Sequence, residues 1–304
     1  MIPENKKHCG YVAIIGQPNV GKSSLLNRLV GEKLAIVTHK PQTTRTKILG
    51  IAIEADTQII FVDTPGIFEP NRPGAWGKLD KAMVNAAHNA AREADICLTV
   101  VDCQRFPPNK AVMDIIEGIP LPKERSFLAI NKVDLIEKSL LLPQLDFYGK
   151  TDRFAEIFCV SAQQNKGLGD LSHTITKYMP ESMWLYPEEE IATMPMRLLA
   201  AETTREQLFL QLHEELPYHM NVETELWEEE AETVRIMQTI FVSRDSHKAM
   251  VIGNKGQKLK MIGRASRLEL QKFLQKKVHL ELFVKLSPNW ADDREYYERW
   301  GLEK

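Results

Sequence analysis

The chain has 304 residues, 43% hydrophobic and 26% charged, which suits two ordinary domains with their own cores and excludes a disordered or fibrous protein. No apolar run approaches the roughly 18 residues that span a bilayer, and the start "MIPENKKHCG" has no hydrophobic signal-peptide core, so the cytosol is the expected compartment. A net charge of −2 says nothing about polyanions by itself, but its distribution does: residues 214–232 carry eight acids and no Lys or Arg, whereas residues 244–285 carry eleven Lys and Arg against three acids. Cys9, Cys97, Cys103 and Cys159 are scattered without a close metal-ligand pair and read as reduced thiols, Cys97 and Cys159 within apolar strand-like runs.

Residues 9–180 alternate strand-like runs ("YVAIIG", "QIIFVDTPG", "DICLTVVD", "SFLAINKVD", "EIFCVSA") with amphipathic helical stretches. Continuous apolar strands separated by helices predict an α/β fold with a mostly parallel sheet covered on both faces. The stretch 181–195, with its prolines and acidic patch, reads as a linker. Beyond it, residues 196–304 read as a smaller α+β module. A helix from Met196 to about Leu216 precedes two strands near "VETELW" and "TVRIMQTIFVS", then a glycine loop, a basic helix, and a strand with alternating Val278, Leu280, Leu282 and Val284.

The first chemical motif is "GQPNVGKS", which fits G-x-x-x-x-G-K-[ST] between a strand and a helix. The backbone from Gly16 through Gln17, Pro18, Asn19, Val20 and Gly21, running into Lys22, Ser23 and Ser24, can wrap phosphate oxygens with N–H groups at a helix N-terminus. In that motif the lysine reaches the β- and γ-phosphates and the hydroxyl of Ser23 coordinates magnesium. "DTPG" then ends an apolar strand, with Asp63 placed for the metal, Thr64 and Pro65 turning the chain, and the Gly66 N–H placed to sense a γ-phosphate. "NKVD", from Asn131 and Lys132 to Asp134, puts a carboxylate where it can accept from guanine N1–H and N2. Adenine lacks that pair of donors, so it would leave the carboxylate unpaired. "SA", Ser161–Ala162, follows the last strand where a backbone N–H would meet guanine O6. Together the motifs predict GTP and GDP as ligands.

This set resembles the translation-factor-related GTPases over residues 9–180. "KPQTTRTKILG" resembles their switch I, in which Thr43 or Thr44 closes over magnesium and the γ-phosphate, Thr44 being favoured because it directly precedes Arg45. With "VIGNKGQKLKMIG", "KVHLELFVKL" and "NWADDREYYERWGL" included, the chain is similar nearly end to end to the Era-type GTPases, which act in assembly of the small ribosomal subunit. The resemblance implies Lys22, Thr44 and Gly66 as catalytic groups and Ser23, Thr44 and Asp63 as magnesium ligands. Ile67 stands where Ras-like proteins carry a water-orienting glutamine, so intrinsic hydrolysis is expected to be slow. Asn19 resembles an asparagine that ligates potassium in some related GTPases; it also reads as a turn residue chosen for its backbone preference.

The second glycine loop, "GNKG", lacks the spacing of a phosphate loop. In a type II KH domain such a loop, here Gly253, Asn254, Lys255 and Gly256, lets backbone N–H groups approach a single-stranded RNA backbone. Lys255, Lys258, Lys260 and Arg264 would supply salt-sensitive affinity, and Val251 and Ile252 an apolar groove for bases. Val251, Ile252 and Ile262 read equally as plain core. The resemblance implies the 3′ end of small-subunit ribosomal RNA as target, a monomer, and at most a weak peripheral contact of the basic helix with the inner membrane. Two functions compete: a GTP-regulated RNA-binding switch, and a constitutive RNA-binding module with a structural nucleotide domain.

Overall fold

The computed structural model describes residues 6–38, 48–67, 78–212, 216–288, 290 and 300. Its described residues form two compact units. The first runs to Ala35, resumes at Ile48, continues to Thr193 and includes Trp300; the second takes Ile36 to Thr38 and Met194 to Trp290.

In the first unit, β1 (His8–Ile15), β2 (Ile48–Glu54), β3 (Thr57–Asp63), β4 (Ile96–Asp102), β5 (Ser126–Asn131) and β6 (Glu156–Cys159) form one sheet in the order β2-β3-β1-β4-β5-β6. All pairings are parallel except β2 with β3. Every residue of β3, β4 and β5 is buried, as continuous apolar runs under helices require. The helices are α1 (Lys22–Val30), α2 (Lys78–Glu93), α3 (Lys110–Glu117), α4 (Leu141–Lys150) and α5 (Leu168–Tyr178). One core joins Ala13, Ile15, Cys97 and Val101 of the strands to Ala87 and Ala91 of α2, Ile116 of α3 and Tyr148 of α4. The sheet therefore presents the carboxyl ends of β1, β3, β4 and β5 along one rim, where ligands bind in open α/β sheets.

In the first unit, β2 and α4 were not read from the sequence. The strand β2 joins β3 through a turn at Ala55–Asp56, with Ala55 at φ 52°, and this tight turn lacks the Asn-Gly signature of a hairpin. Pro143 sits in the first turn of α4, where a proline is tolerated.

The stretch expected as a linker is strapped to the first unit's sheet edge. Gln58, fully buried on β3, donates its amide to the Tyr186 carbonyl at 2.8 Å and accepts from Leu185 N and Tyr186 N at 2.9 and 3.1 Å. Trp184 Nε1 bonds the Asp56 carbonyl at 3.2 Å, and Ile51 N on β2 bonds the Ile191 carbonyl at 2.9 Å. An acidic, proline-rich composition predicts a tether; the buried amide of Gln58 and the open edge of β2 make it a brace.

The second unit packs α6 (Met196–Gln211) and α8 (Gln257–Leu274) on a sheet of β7 (Met220–Glu229), β8 (Thr233–Val242) and β9 (Lys277–Leu286), in the order β7-β8-β9. Strand β9 runs parallel to β8, and its alternating Val278, Leu280, Leu282 and Val284 face the core. Between β8 and α8 lies α7 (Asp245–Ile252), which the sequence does not announce because its contiguous "AMVI" has no helical periodicity. No helix among the described residues is long and apolar enough to cross a membrane.

Candidate functional site

The loop between β1 and α1 is held by backbone conformations and by its neighbours. Gly21 has φ 99°, and a Cβ there would lie 2.3 Å from Asn131 Nδ2, so no other residue fits. Asn19 is left-handed at φ 65°, a conformation asparagine tolerates. Lys22 opens α1 and folds back over the loop, donating Nζ to the Gly16 carbonyl at 3.1 Å and the Gln17 carbonyl at 2.9 Å. Burial pushes its pKa down to about 8, against the opposing pull of Asp63. Gln17 Nε2 reaches Asn109 Oδ1 at 3.2 Å, Val20 is buried, and Ser24 follows in α1.

At the end of β3, Asp63 is fully buried and its Oδ2 accepts from Ser23 Oγ at 2.7 Å. Thr64 Oγ1 donates to the Ile14 carbonyl at 2.9 Å, and Pro65 and Gly66 follow, also buried. Ile67 is different from the rest of its motif. Its N–H donates to the Gly16 carbonyl at 3.0 Å and its side chain lies in the core, so it offers no polar group to a ligand. Thr43 and Thr44 lie outside the described residues.

The end of β5 brings the third and fourth motifs to the same rim. Asn131 Nδ2 donates to the Val20 carbonyl at 2.9 Å while its Oδ1 accepts from Ala162 N at 3.2 Å, so one side chain ties three loops. The N–H of Ala162, in the segment expected to meet guanine O6, is thereby engaged with Asn131. Lys132, left-handed at φ 66°, donates Nζ to the Asn19 carbonyl at 2.7 Å. Ser161 Oγ accepts from Gln164 N at 3.0 Å. Asp134 sits in the 3-10 turn that follows, and its Oδ1 is buried with no partner among the described residues. A buried acceptor of this kind is costly unless a donor arrives. The sequence reading missed Arg28 of α1, whose Nε holds the Ala162 carbonyl at 3.1 Å.

No group of three or more His, Cys, Asp or Glu side chains placed to hold a metal ion occurs among the described residues. The Ser23–Asp63 pair does supply two hard oxygens side by side, which suits magnesium, an ion that keeps several of its own waters.

In the second unit, α7 ends at Gly253 (φ 69°), where a Cβ would lie 2.6 Å from Lys258 Cβ. Asn254 and Lys255 are exposed at the tip, Lys255 at φ 50°, and Gly256 (φ 78°) leads into α8. Lys260 and Arg264 are exposed beyond it. Lys258, half-buried, donates Nζ to the Gln211 carbonyl at the end of α6, at 3.3 Å. That is the favoured place for a cation at a helix C-terminus. Val251, open in the sequence between groove and core, belongs to the core. It is fully buried in the core with Ile262, because a helical α7 turns it inward and leaves Met250 exposed; Ile252 is half-buried.

Residues 11–132 match the family described as "50S ribosome-binding GTPase", and residues 215–291 match the KH domain. The protein called GTPase Era in Dinoroseobacter shibae is 46% identical over 97% of this chain and 95% of its own length. That of Caulobacter vibrioides is 45% identical over 98% of each. Among solved structures, a variant Era of Aquifex aeolicus bound to GDP and AlF4− superposes with TM-score 0.91 at 38% identity, covering 98% of this chain and 100% of that one. An Era complexed with MgGDPNP and nucleotides 1506–1542 of 16S ribosomal RNA gives the same TM-score, identity and coverage.

Proposed function

Because the chain belongs to the Era family of GTPases, we propose that it is a GTP-hydrolysing switch whose second unit holds the 3′ region of 16S ribosomal RNA during small-subunit assembly. The observation that carries the nucleotide half is the rim itself: a buried ammonium at Lys22 and a buried acceptor on Asp134, without a partner among the described residues, are joined through Asn131, Lys132 and the phosphate loop. The RNA half rests on the GNKG tip, with an exposed lysine between two positive-φ glycines, and on the relative crystallised with 16S nucleotides. The matched GTPase family is described by the 50S subunit, but 16S RNA belongs to the small one, and the relative crystallised with 16S nucleotides favours the latter reading. The test is RNA binding by the full chain with GDP and with GDPNP, using an oligonucleotide equivalent to that 16S segment. Absence of binding in both states removes the RNA half; absence of GTP turnover removes the enzyme.

Ser23 and Asp63 would hold magnesium, with Thr44 as the third expected ligand. Bound there, the ion neutralises charge on the β- and γ-phosphate oxygens. Lys22 would exchange its two carbonyl partners for phosphate oxygens, and the Gly66 N–H would face the γ-phosphate. Ile67 cannot orient water, so turnover without an activator is slow.

The state of Lys22 gives a pH signature. Its native pKa of about 8 lies below the ordinary 10.5, so the unfolded chain binds more protons between these values. The cost of burying this charge is fully present below about pH 8 and is relieved as pH rises toward 10.5. Phosphates favour the charged form, so nucleotide binding raises the pKa and takes up a proton just above pH 8. Calorimetry in buffers of different ionisation enthalpy should show that uptake there and none at more acidic pH. Buffer-independent heats throughout would contradict it.

We infer a potassium ligand in Asn19, on its place in the phosphate loop. Replacing K+ by Na+ then slows hydrolysis, and Asn19→Ala abolishes the difference. Equal wild-type rates in the two salts would leave Asn19 a turn residue, consistent with its φ of 65°.

A further inference from the structure

The end of β4 grips Lys132 at both of its ends, and no sequence motif reads this. Strands β4 and β5 pair in register with Asp102 opposite Asn131, which places the Asp102 carboxylate beside the lysine that follows. The Asp102 side chain is only 4% exposed; its Oδ2 accepts from Lys132 Nζ at 2.7 Å, and its Oδ1 accepts from Gln104 N at 3.0 Å. The adjacent Cys103 donates its thiol to the Lys132 carbonyl at 3.0 Å. Gln144 Nε2 in turn holds the Cys103 carbonyl at 3.0 Å.

The consequence reaches the phosphate loop. Lys132 and Asn19 are both left-handed, at φ 66° and 65°, conformations that persist in such residues when surroundings hold them. The single Lys132 ammonium touches the Asn19 carbonyl and the Asp102 carboxylate, each at 2.7 Å. Lysine is a flexible point charge on a long stem, and without a fixed counter-charge its three donors would spread over many positions. Arg105 approaches the same carboxylate only at 3.9 Å and is half exposed, so it does not compete for the place.

We propose that Asp102 is a positioning residue for guanine-nucleotide binding: by fixing the Lys132 ammonium it holds the phosphate loop and the base-reading turn in one mutual geometry. This rests on the nucleotide site assigned above. The competing explanation is that Asp102 only caps the turn at 103–105 through Gln104 N, a bond that an asparagine side-chain oxygen preserves.

A double-mutant cycle separates the two. Release of a fluorescent GDP analogue is followed in the full-length wild type, Asp102→Asn, Lys132→Met and the double variant. Asp102→Asn alone should accelerate release about tenfold, but less than about twofold in the Lys132→Met background, as expected for residues acting as a pair. Equal acceleration in both backgrounds, or none in the wild-type background, overturns the proposal. If the wild type fails to bind the analogue, the nucleotide site itself is wrong, a result distinct from an additive cycle. Where Asp102→Asn does not fold, Asp102→Glu is measured in the same two backgrounds with the same non-additivity expected and the same additive outcome decisive against it.

Discussion

Asp134→Asn should change the protein's preferred ligand from GTP to xanthosine triphosphate. The wild-type carboxylate is acceptor-only, and guanine offers it two donors, N1–H and the N2 amino group. The buried Oδ1 of Asp134, without a partner among the described residues, marks where one of these hydrogen bonds would form. Asparagine replaces one acceptor with an NH2, which meets the guanine amino group donor to donor. Xanthine carries an oxygen at that carbon and accepts from the same NH2. A site built to hydrogen-bond a ligand rejects the mismatched one by large factors, so GTP affinity should fall at least about a thousandfold while XTP gains. Competition of ATP, GTP and XTP against a fluorescent GDP analogue measures this directly. A variant that still selects GTP, or a wild type that binds ATP and GTP alike, would sink the assignment of Asp134.

The paired substitution Asn254→Asp with Lys255→Asp should remove RNA binding and leave nucleotide binding intact. Both positions are exposed at the loop tip, and both glycines stay in place. Aspartate tolerates the left-handed conformation of Lys255, and Asn254→Asp is nearly isosteric, so the unit should still fold. The changes set carboxylates against phosphates where the backbone must approach most closely. RNA affinity should drop about a hundredfold at near-physiological salt, with a shallower salt dependence because a phosphate contact is lost. A true switch also requires wild-type affinity to differ between GDP and GDPNP, typically by about 1–3 kcal/mol. Loss of binding in the variant without nucleotide dependence in the wild type would favour the constitutive module. Undiminished binding would mean that the GNKG tip does not touch RNA.

The nucleotide motifs were legible because each is a short contiguous segment whose spacing is dictated by the chemistry it serves. The rim that gathers them followed from apolar strands of the right length. Asp102 and Arg28 were not legible, since their partners lie far along the sequence and only the sheet register brings them close. Val251 stayed open between groove and core for a different reason. A four-residue apolar run carries no period, so which of Met250 and Val251 faced inward depended on α7 being a helix. Lys258 shows that a charge count does not place an ammonium: it contributes to a basic segment, and its Nζ caps α6.

The brace of residues 181–192 bears on how this chain can be divided. If the first unit were cut at the end of α5, the buried amide of Gln58 would lose three hydrogen bonds at once, and the outer edge of β2 would lose its cover at Ile51. An uncovered edge strand is a template on which a second chain can build, and such surfaces lead to aggregation. A piece that keeps this brace therefore runs past the last helix to about Thr193, the last residue of the unit before the chain enters the second one. The acidic, proline-rich stretch belongs to the solubility of the domain it follows.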